Sequence, residues 1–171
     1  MPESGLTIEP LGPTHDRVAF SCGSEALDRH LKASAAQDMK KKSSVAYVLT
    51  DDSRVPIFGF YTLSASSVIL SSLPPEAIER LPKYPDVPVT LIGRLAVDSK
   101  QKGRGYGAHL LMDTRRNSLE ASERVASAAV IVDAKEDEGT GFYRKYGFIA
   151  FPDRPRRLFL PMKTIEKLIR G

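Results

Sequence analysis

Hydrophobic positions in this chain follow two spacings, nearly continuous or alternating apolar runs and runs with helical periodicity, and the two kinds succeed one another along the sequence. Leu6-Thr-Ile-Glu-Pro10 reads as a short first strand. Ser24 can then cap a helix with Glu25 in its first turn and Leu27, Leu31, Ala35 and Met39 on one face, and Lys40-Lys-Lys42 ends it with the charge a helix C-terminus prefers. Val45–Leu49 and Ile57–Leu63 are β-rich runs joined by Asp51-Asp-Ser-Arg54, the composition of a hairpin turn. Five prolines between Leu73 and Pro88 predict a restrained loop with a helical turn at 76–81, long enough to wall the acceptor side of a site. Val87–Val97 reads as a central strand with little solvent-facing alternation. A glycine-rich stretch follows, then a helix with Ala108, Leu111, Met112 and Leu119 on its apolar face. Ala128–Val132 is another buried strand, 138–146 a helix closed by Gly147, and 148–151 and 157–161 the last strands. Strands alternating with helices predict an α/β fold.

A chain of 171 residues, 42% hydrophobic, suits one compact domain with a real core. Met1-Pro-Glu-Ser-Gly5 lacks a basic region followed by an apolar stretch, and no later run approaches the roughly 18 apolar residues of a membrane span. A cytoplasmic protein with no membrane attachment is expected. The single cysteine, Cys22, forbids an intramolecular disulfide and reads as a buried or incidental thiol, with a nucleophile as the alternative. With three scattered histidines it offers no ligand cluster for a structural zinc, so no metal is expected. The net charge of +4 favours an anionic partner without separating a phosphate-bearing cofactor from nucleic acid.

Chemistry concentrates in two segments. Leu91-Ile-Gly-Arg-Leu-Ala-Val-Asp98 runs into Lys102-Gly-Arg-Gly-Tyr-Gly-Ala108, an apolar strand delivering a glycine loop to a helix N-terminus. Unpaired backbone N–H groups and the positive end of the macrodipole hold phosphate at such a place. Gly103, Gly105 and Gly107 let backbone approach a pyrophosphate, while Lys102 and Arg104 supply charge. The spacing also satisfies the dinucleotide fingerprint, but Asp98-Ser-Lys-Gln-Lys102 separates strand from glycines and no Gly-Lys-Ser/Thr follows, which disfavours a dinucleotide or triphosphate loop. A structural turn, or a site for another phosphate ligand, is the alternative. Arg94, in an otherwise apolar strand, either snorkels, or pairs with a carboxylate at the sheet edge, or recognises the acceptor or cofactor. The second segment, Gly141-Phe-Tyr-Arg-Lys-Tyr-Gly-Phe148, offers Tyr143 as a phenol that either packs beside Phe142 or donates a proton.

These two segments resemble the core of the GNAT family of acetyl-CoA-dependent N-acetyltransferases, with its Gln/Arg-x-x-Gly-x-Gly/Ala loop and later Phe-Tyr-x-x-x-Gly-Phe. Cys22–Asp28, Phe60–Ser64, Leu81–Pro85, Gly93–Val97, Val132–Lys135 and Arg157–Met162 extend the resemblance over nearly the whole chain, to the GNAT toxins of bacterial toxin–antitoxin pairs. The resemblance implies a single GNAT domain over 1–171, with a mixed central sheet flanked by helices. It implies acetylation of the α-amino group of aminoacyl-tRNA, which blocks translation, with acetyl-CoA as cofactor. It further implies charged tRNA and a ribbon-helix-helix antitoxin as partners, and a homodimer. By the same resemblance Leu95, Ala96 and Val97 contact pantetheine through their backbone; Lys102, Gly103, Arg104, Gly105, Tyr106, Gly107 and Ala108 hold the pyrophosphate; and Tyr143 is catalytic. Tyr146 reads as structural. Arg94, Arg144 and Lys145 are candidates for the acceptor side, and Lys40–Lys42, Arg115-Arg116 and Arg154-x-Arg156-Arg157 are further basic groups able to meet tRNA phosphates. Two departures stand out. Lys102 lacks the planar fork of an arginine, and Gly139 and Gly141 replace an alanine-rich helix start, weakening that helix by about 1 kcal/mol each. Acetylation of a small or protein amine, or a CoA-binding module without catalysis, are the alternatives.

Overall fold

A computed structural model describes residues 5–171 and shows a mixed α/β fold, a central sheet flanked by helices. The leader reading at Met1–Ser4 lies outside the described residues. Seven strands, β1 (Thr7–Pro10), β2 (Val45–Thr50), β3 (Gly59–Ile69), β4 (Asp86–Val97), β5 (Ala129–Asp133), β6 (Ile149–Phe151) and β7 (Arg154–Pro161), lie in the order β1-β2-β3-β4-β5-β7-β6. The β1–β2, β2–β3, β5–β7 and β6–β7 pairs are antiparallel, whereas Thr90–Ile92 of β4 run parallel to Val130–Val132 of β5. The helices are α1 (Glu25–Arg29), α2 (Ala35–Lys40), α3 (Pro75–Glu79), α4 (Tyr106–Ser122), α5 (Asp137–Lys145) and α6 (Met162–Arg170). No helix among the described residues is long and apolar enough to cross a membrane.

The chain forms two compact units, whose boundaries fall inside β3, β4 and α4. The first holds the chain up to Ser64 together with Gly93–Thr114. Ser24 caps α1 as expected, its hydroxyl accepting from Leu27 N. The single helix expected from 24 to 42 is instead interrupted by a π-turn at His30–Ser34. The extra residue in that turn brings His30 into the interior beside Leu31, and the buried His30 Nε2 has no hydrogen-bond partner. Phe20, Leu31, Ala35, Ala46, Phe60 and Ala96 form one core cluster, with Phe20 edge-on to Phe60 at 5.4 Å. Leu49, Tyr61, Tyr106 and Leu110 form another, fixed by the Tyr61 hydroxyl donating to Asp113 Oδ2 at 2.6 Å. Cys22 is buried and free, and burial pushes its thiol pKa up.

The second unit holds Ala65–Ile92 and Arg115–Gly171. Val68, Val87, Val89, Ala129, Ile131 and Phe159 pack together on one face of its strands. The proline-rich segment contains α3 and lines an apolar cavity of about 400 Å³ with Leu73, Ala77, Val87, Ile131 and Phe159. Expected boundaries move by one to three residues for α5, β5, β6 and β7. Two expectations fail by more. The strand expected to stop at Leu63 continues to Ile69, because the small polar residues Ser64, Ser66 and Ser67 tolerate half-exposed strand positions. At the C-terminus the sequence reading stopped at Pro161, yet α6 follows, anchored by buried Met162 and Ile165 at helical spacing. On α4, Leu110 is buried where Met112 was expected, and Met112 is exposed.

Candidate functional site

β4 delivers its end to the glycine loop by way of Asp98, a residue the sequence reading left without a role. Asp98 is buried, its Oδ2 accepting from Ser21 N at 3.1 Å and its Oδ1 from Lys100 N at 2.9 Å, while its own N–H donates to Phe58 O at 2.8 Å. The side chain therefore caps the short 3₁₀ turn Ser99–Gln101 and pins the departure of the loop from the strand. An aspartate directly after an apolar strand and before Ser-Lys was the available signal.

Beyond that anchor Lys102, Gly103, Arg104 and Gly105 are all exposed. Gly103 and Gly105 have φ of +83° and +79°, and a Cβ at either would meet nothing within 4 Å. Space and backbone conformation are thus both those of an open cradle. The carbonyl of Gly105 accepts from His109 N at 3.1 Å, which makes Gly105 the N-cap of α4. The amides of Gly107 and Ala108 precede this first helical bond and have no carbonyl one turn back to take them. A seventeen-residue helix stands behind them, its dipole favouring an anion at this end. These residues fit a pyrophosphate.

The strand residues divide by side chain. Ala96 is buried in the cluster with Phe20 and Leu31, whereas Leu95 and Val97 pack on the cluster of Tyr61, Tyr106 and Leu110. Tyr106 itself is buried, its ring 6.1 Å from that of Phe58. Arg94 is half-buried, forms no ion pair among the described residues, and its charge lowers the pKa of His30 together with the larger effect of burial. The carboxylate partner that one reading of Arg94 called for is not found among the described residues.

In the second unit α5 carries Tyr143, and the helix end explains why this residue is held. Phe148 N donates to Tyr143 O at 3.2 Å and Gly147 N to Arg144 O at 3.0 Å, with Gly147 at φ +95°. This is a Schellman closure, and its usual apolar contact is the edge-on pair of Tyr143 and Phe148 rings at 5.3 Å. Phe142 packs edge-on against Tyr143 at 5.2 Å and against Tyr146 at 5.4 Å. Tyr143 is 7% exposed, burial raises the pKa of its phenol, and its hydroxyl has no hydrogen-bond partner among the described residues. A protonated O–H in that state can donate to a ligand. The ring packs beside Phe142, and the hydroxyl is left uncommitted.

Arg144 and Lys145 are exposed in the last turn of α5. The other basic groups differ from expectation. Arg157 makes a two-pronged pair with Asp133 at 2.9 and 3.2 Å, Arg154 also reaches Asp133 at 3.9 Å, and Arg156 pairs with Asp137 at 3.3 Å, so two carboxylates stand among these three arginines. Arg115 is buried and donates to Tyr146 O, leaving only Arg116 of that pair at the surface. No cluster of His, Cys, Asp or Glu suited to a metal ion is found among the described residues.

A strand ending in an anchored glycine loop at a helix N-terminus, with a tyrosine-bearing helix later in the chain, is the arrangement of a GNAT-fold acetyltransferase. No family model matches the chain. A probable toxin TacT of Sinorhizobium fredii is 32% identical over 170 residues, 95% of this chain and 94% of that protein. A tRNA-acetylating toxin of Mycobacterium tuberculosis is 36% identical over 154 residues, 90% of each. Among solved structures, a tyrosine-to-phenylalanine mutant of KacT has a TM-score of 0.90 at 31% identity, covering 96% of this chain and 99% of that one. AtaT complexed with acetyl-methionyl-tRNAfMet has a TM-score of 0.88 at 31% identity, with the same coverage. An AtaT tyrosine-to-phenylalanine mutant bound to acetyl-CoA and to the C-terminus of the antitoxin AtaR has a TM-score of 0.81 at 30% identity, covering 97% and 99%. The chain belongs to the GNAT-fold family of tRNA-acetylating toxins.

Proposed function

We propose that residues 1–171 form a single acetyl-CoA-dependent N-acetyltransferase domain that acetylates the α-amino group of aminoacyl-tRNA and so blocks translation. Kinship over nearly the whole chain with a tRNA-acetylating toxin, and the solved complex of AtaT with an acetylated charged tRNA, support the substrate class. Acetyl-CoA in the AtaT complex supports the cofactor. Lys102, Gly103, Arg104, Gly105, Gly107 and Ala108, with the backbone of Tyr106, hold the pyrophosphate, and the backbone of Leu95–Val97 takes the pantetheine arm. Arg94, Arg144 and Lys145 serve the acceptor.

The observation that carries the chemistry is the uncommitted hydroxyl of Tyr143 on a fixed ring. Bound acetyl-CoA supplies an acyl group activated as a thioester. As the amine nitrogen forms the new C–N bond and the C–S bond breaks, the Tyr143 O–H gives its proton to the departing sulfur, and the surplus amine proton passes to water. Tyr143 regains a proton from solvent. Burial raises the phenol pKa, which keeps the O–H protonated before the step and disfavours phenolate as a base. A free α-amine titrates near about 7.7–8.0, so an appreciable neutral fraction exists without a strong base.

The protein acts in the cytoplasm as a homodimer restrained by a ribbon-helix-helix antitoxin. The AtaT complex with the C-terminus of AtaR supports the antitoxin as partner. Mass spectrometry of charged tRNA incubated with protein and acetyl-CoA tests the reading, the expected product being acetylated on its amino acid. Unmodified charged tRNA beside an acetylated small amine would overturn the substrate. No transfer to any amine despite CoA binding would overturn the enzyme.

A further inference from the structure

Tyr143 lies on a helix whose N-terminal half is weakly made. Glu136 provides no side-chain cap, and Gly139 and Gly141 occupy the turns before the tyrosine. The position of the hydroxyl is therefore set from the other end, where the Schellman closure satisfies the carbonyls of Tyr143 and Arg144 and leaves that of Tyr146 just beyond.

This remaining carbonyl accepts from the Arg115 guanidinium of α4. The same guanidinium lies 6.0 Å from the centre of the Tyr146 ring, so a single side chain holds Tyr146 by both backbone and ring. From Tyr146 the contacts run edge-on to Phe142 at 5.4 Å and from Phe142 to Tyr143 at 5.2 Å. Arg115 is only 8% exposed, and burial lowers its pKa, which marks a charge kept in the interior against its preference for water. Its neighbour Arg116 is exposed. We infer that Arg115 is a positioning residue for acetyl transfer, fixing the end of α5 and through it the Tyr143 hydroxyl; the inference rests on the proposed role of Tyr143.

The test is a double-mutant cycle read in single-turnover and steady-state transfer from acetyl-CoA to charged tRNA. Arg115→Met removes charge and hydrogen bond, and is expected to lower kcat about 10- to 100-fold, the loss typical of a misplaced reacting group, while KM for acetyl-CoA stays within about twofold. Arg115→Lys keeps a charged donor without the planar fork and recovers part of that loss. In a Tyr143→Phe background Arg115→Met should cost less than about twofold more, because the group it positions is already gone. If Arg115→Met does not fold, Arg115→Lys runs the same cycle. Full additivity of the two losses, or a rise in KM equal to the fall in kcat, overturns the inference. An impaired Tyr143→Phe beside Arg115 variants at the parent's rate overturns it alone. A Tyr143→Phe protein at the parent's rate removes the tyrosine reading and this inference with it.

Discussion

The glycine loop and the end of α5 both rest on glycines with positive φ, yet one is built outward and the other inward. At the loop, Gly103 and Gly105 are exposed with empty space where a side chain would go, and the groups offered to a ligand are backbone amides and two flexible cations. At the end of α5, Gly147 closes a helix around a buried tyrosine, and the group offered is one hydroxyl on a ring packed by Phe142 and Phe148. The first arrangement is suited to binding by shape and charge and has little to do with folding. The second cannot be altered without disturbing packing. Ligand affinity and chemical rate should therefore respond to different substitutions, and changes in stability should accompany only the second.

The largest effect belongs to Tyr143→Phe. Removing the hydroxyl while keeping the ring should slow transfer about 10²- to 10⁴-fold with acetyl-CoA affinity nearly unchanged, as measured by calorimetry beside the kinetics. Its pH dependence sharpens the assignment. Burial raises the phenol pKa above its ordinary value of 10.0, so the proton donor stays loaded as pH rises. The parent rate should climb as the acceptor amine deprotonates and then stay level through about pH 9.5. A fall at lower pH that vanishes in Tyr143→Phe would mean that the phenol is not in the buried state described.

Gly105→Val comes next and acts on the other side of the comparison. At φ +79° a β-branched residue is strained, and its side chain would stand in the open space through which a phosphate reaches the amides. Acetyl-CoA should bind about tenfold more weakly, equivalent to about 1.4 kcal/mol. The melting temperature should hardly change, since the exposed loop can relax locally. A variant that binds as the parent does would remove the loop from the cofactor site.

The conformation of the loop was legible in the sequence because glycines announce positive φ and periodicity announces a helix start. The Gly147 closure was legible for the same reason. Arg115 was not: a pair of arginines on a helix reads as a solvated face, and only the packing of α5 shows which member turns inward. The π-turn at His30 was hidden in the same way, since its inserted residue preserves the apolar face on either side and alters only which residue between them is buried. The extension of β3 to Ile69 escaped because serines carry no strand signal and are placed by their neighbours in the sheet. The helix α6 had its signal in Met162 and Ile165, which Pro161 masked by resembling an end rather than the residue before a helix start.

The smallest effect is the one that compares the two regions most directly, because Gly105→Ala and Gly147→Ala impose the same backbone strain without a clash. A Cβ at Gly105 meets nothing within 4 Å, and one at Gly147 meets only Leu160 Cδ1 at an ordinary 3.6 Å. Holding that φ costs about 1 kcal/mol at either place, a cost the exposed loop at Gly105 avoids by relaxing locally until a ligand requires the conformation. At Gly147 that cost falls on a closure whose carbonyl acceptors are Tyr143 and Arg144, and loosening it also frees the Tyr143–Phe148 contact. Gly147→Ala should therefore lower the melting temperature by about 2–4 °C, the shift that 1 kcal/mol produces in a chain of this length, and reduce the transfer rate a few-fold at constant acetyl-CoA affinity. Gly105→Ala should show the reverse pattern, weaker binding at unchanged melting temperature. Calorimetry and thermal melts on the pair decide it: equal melting shifts in both would mean that the loop is part of the folded core, and the separation of binding from chemistry would fail with it.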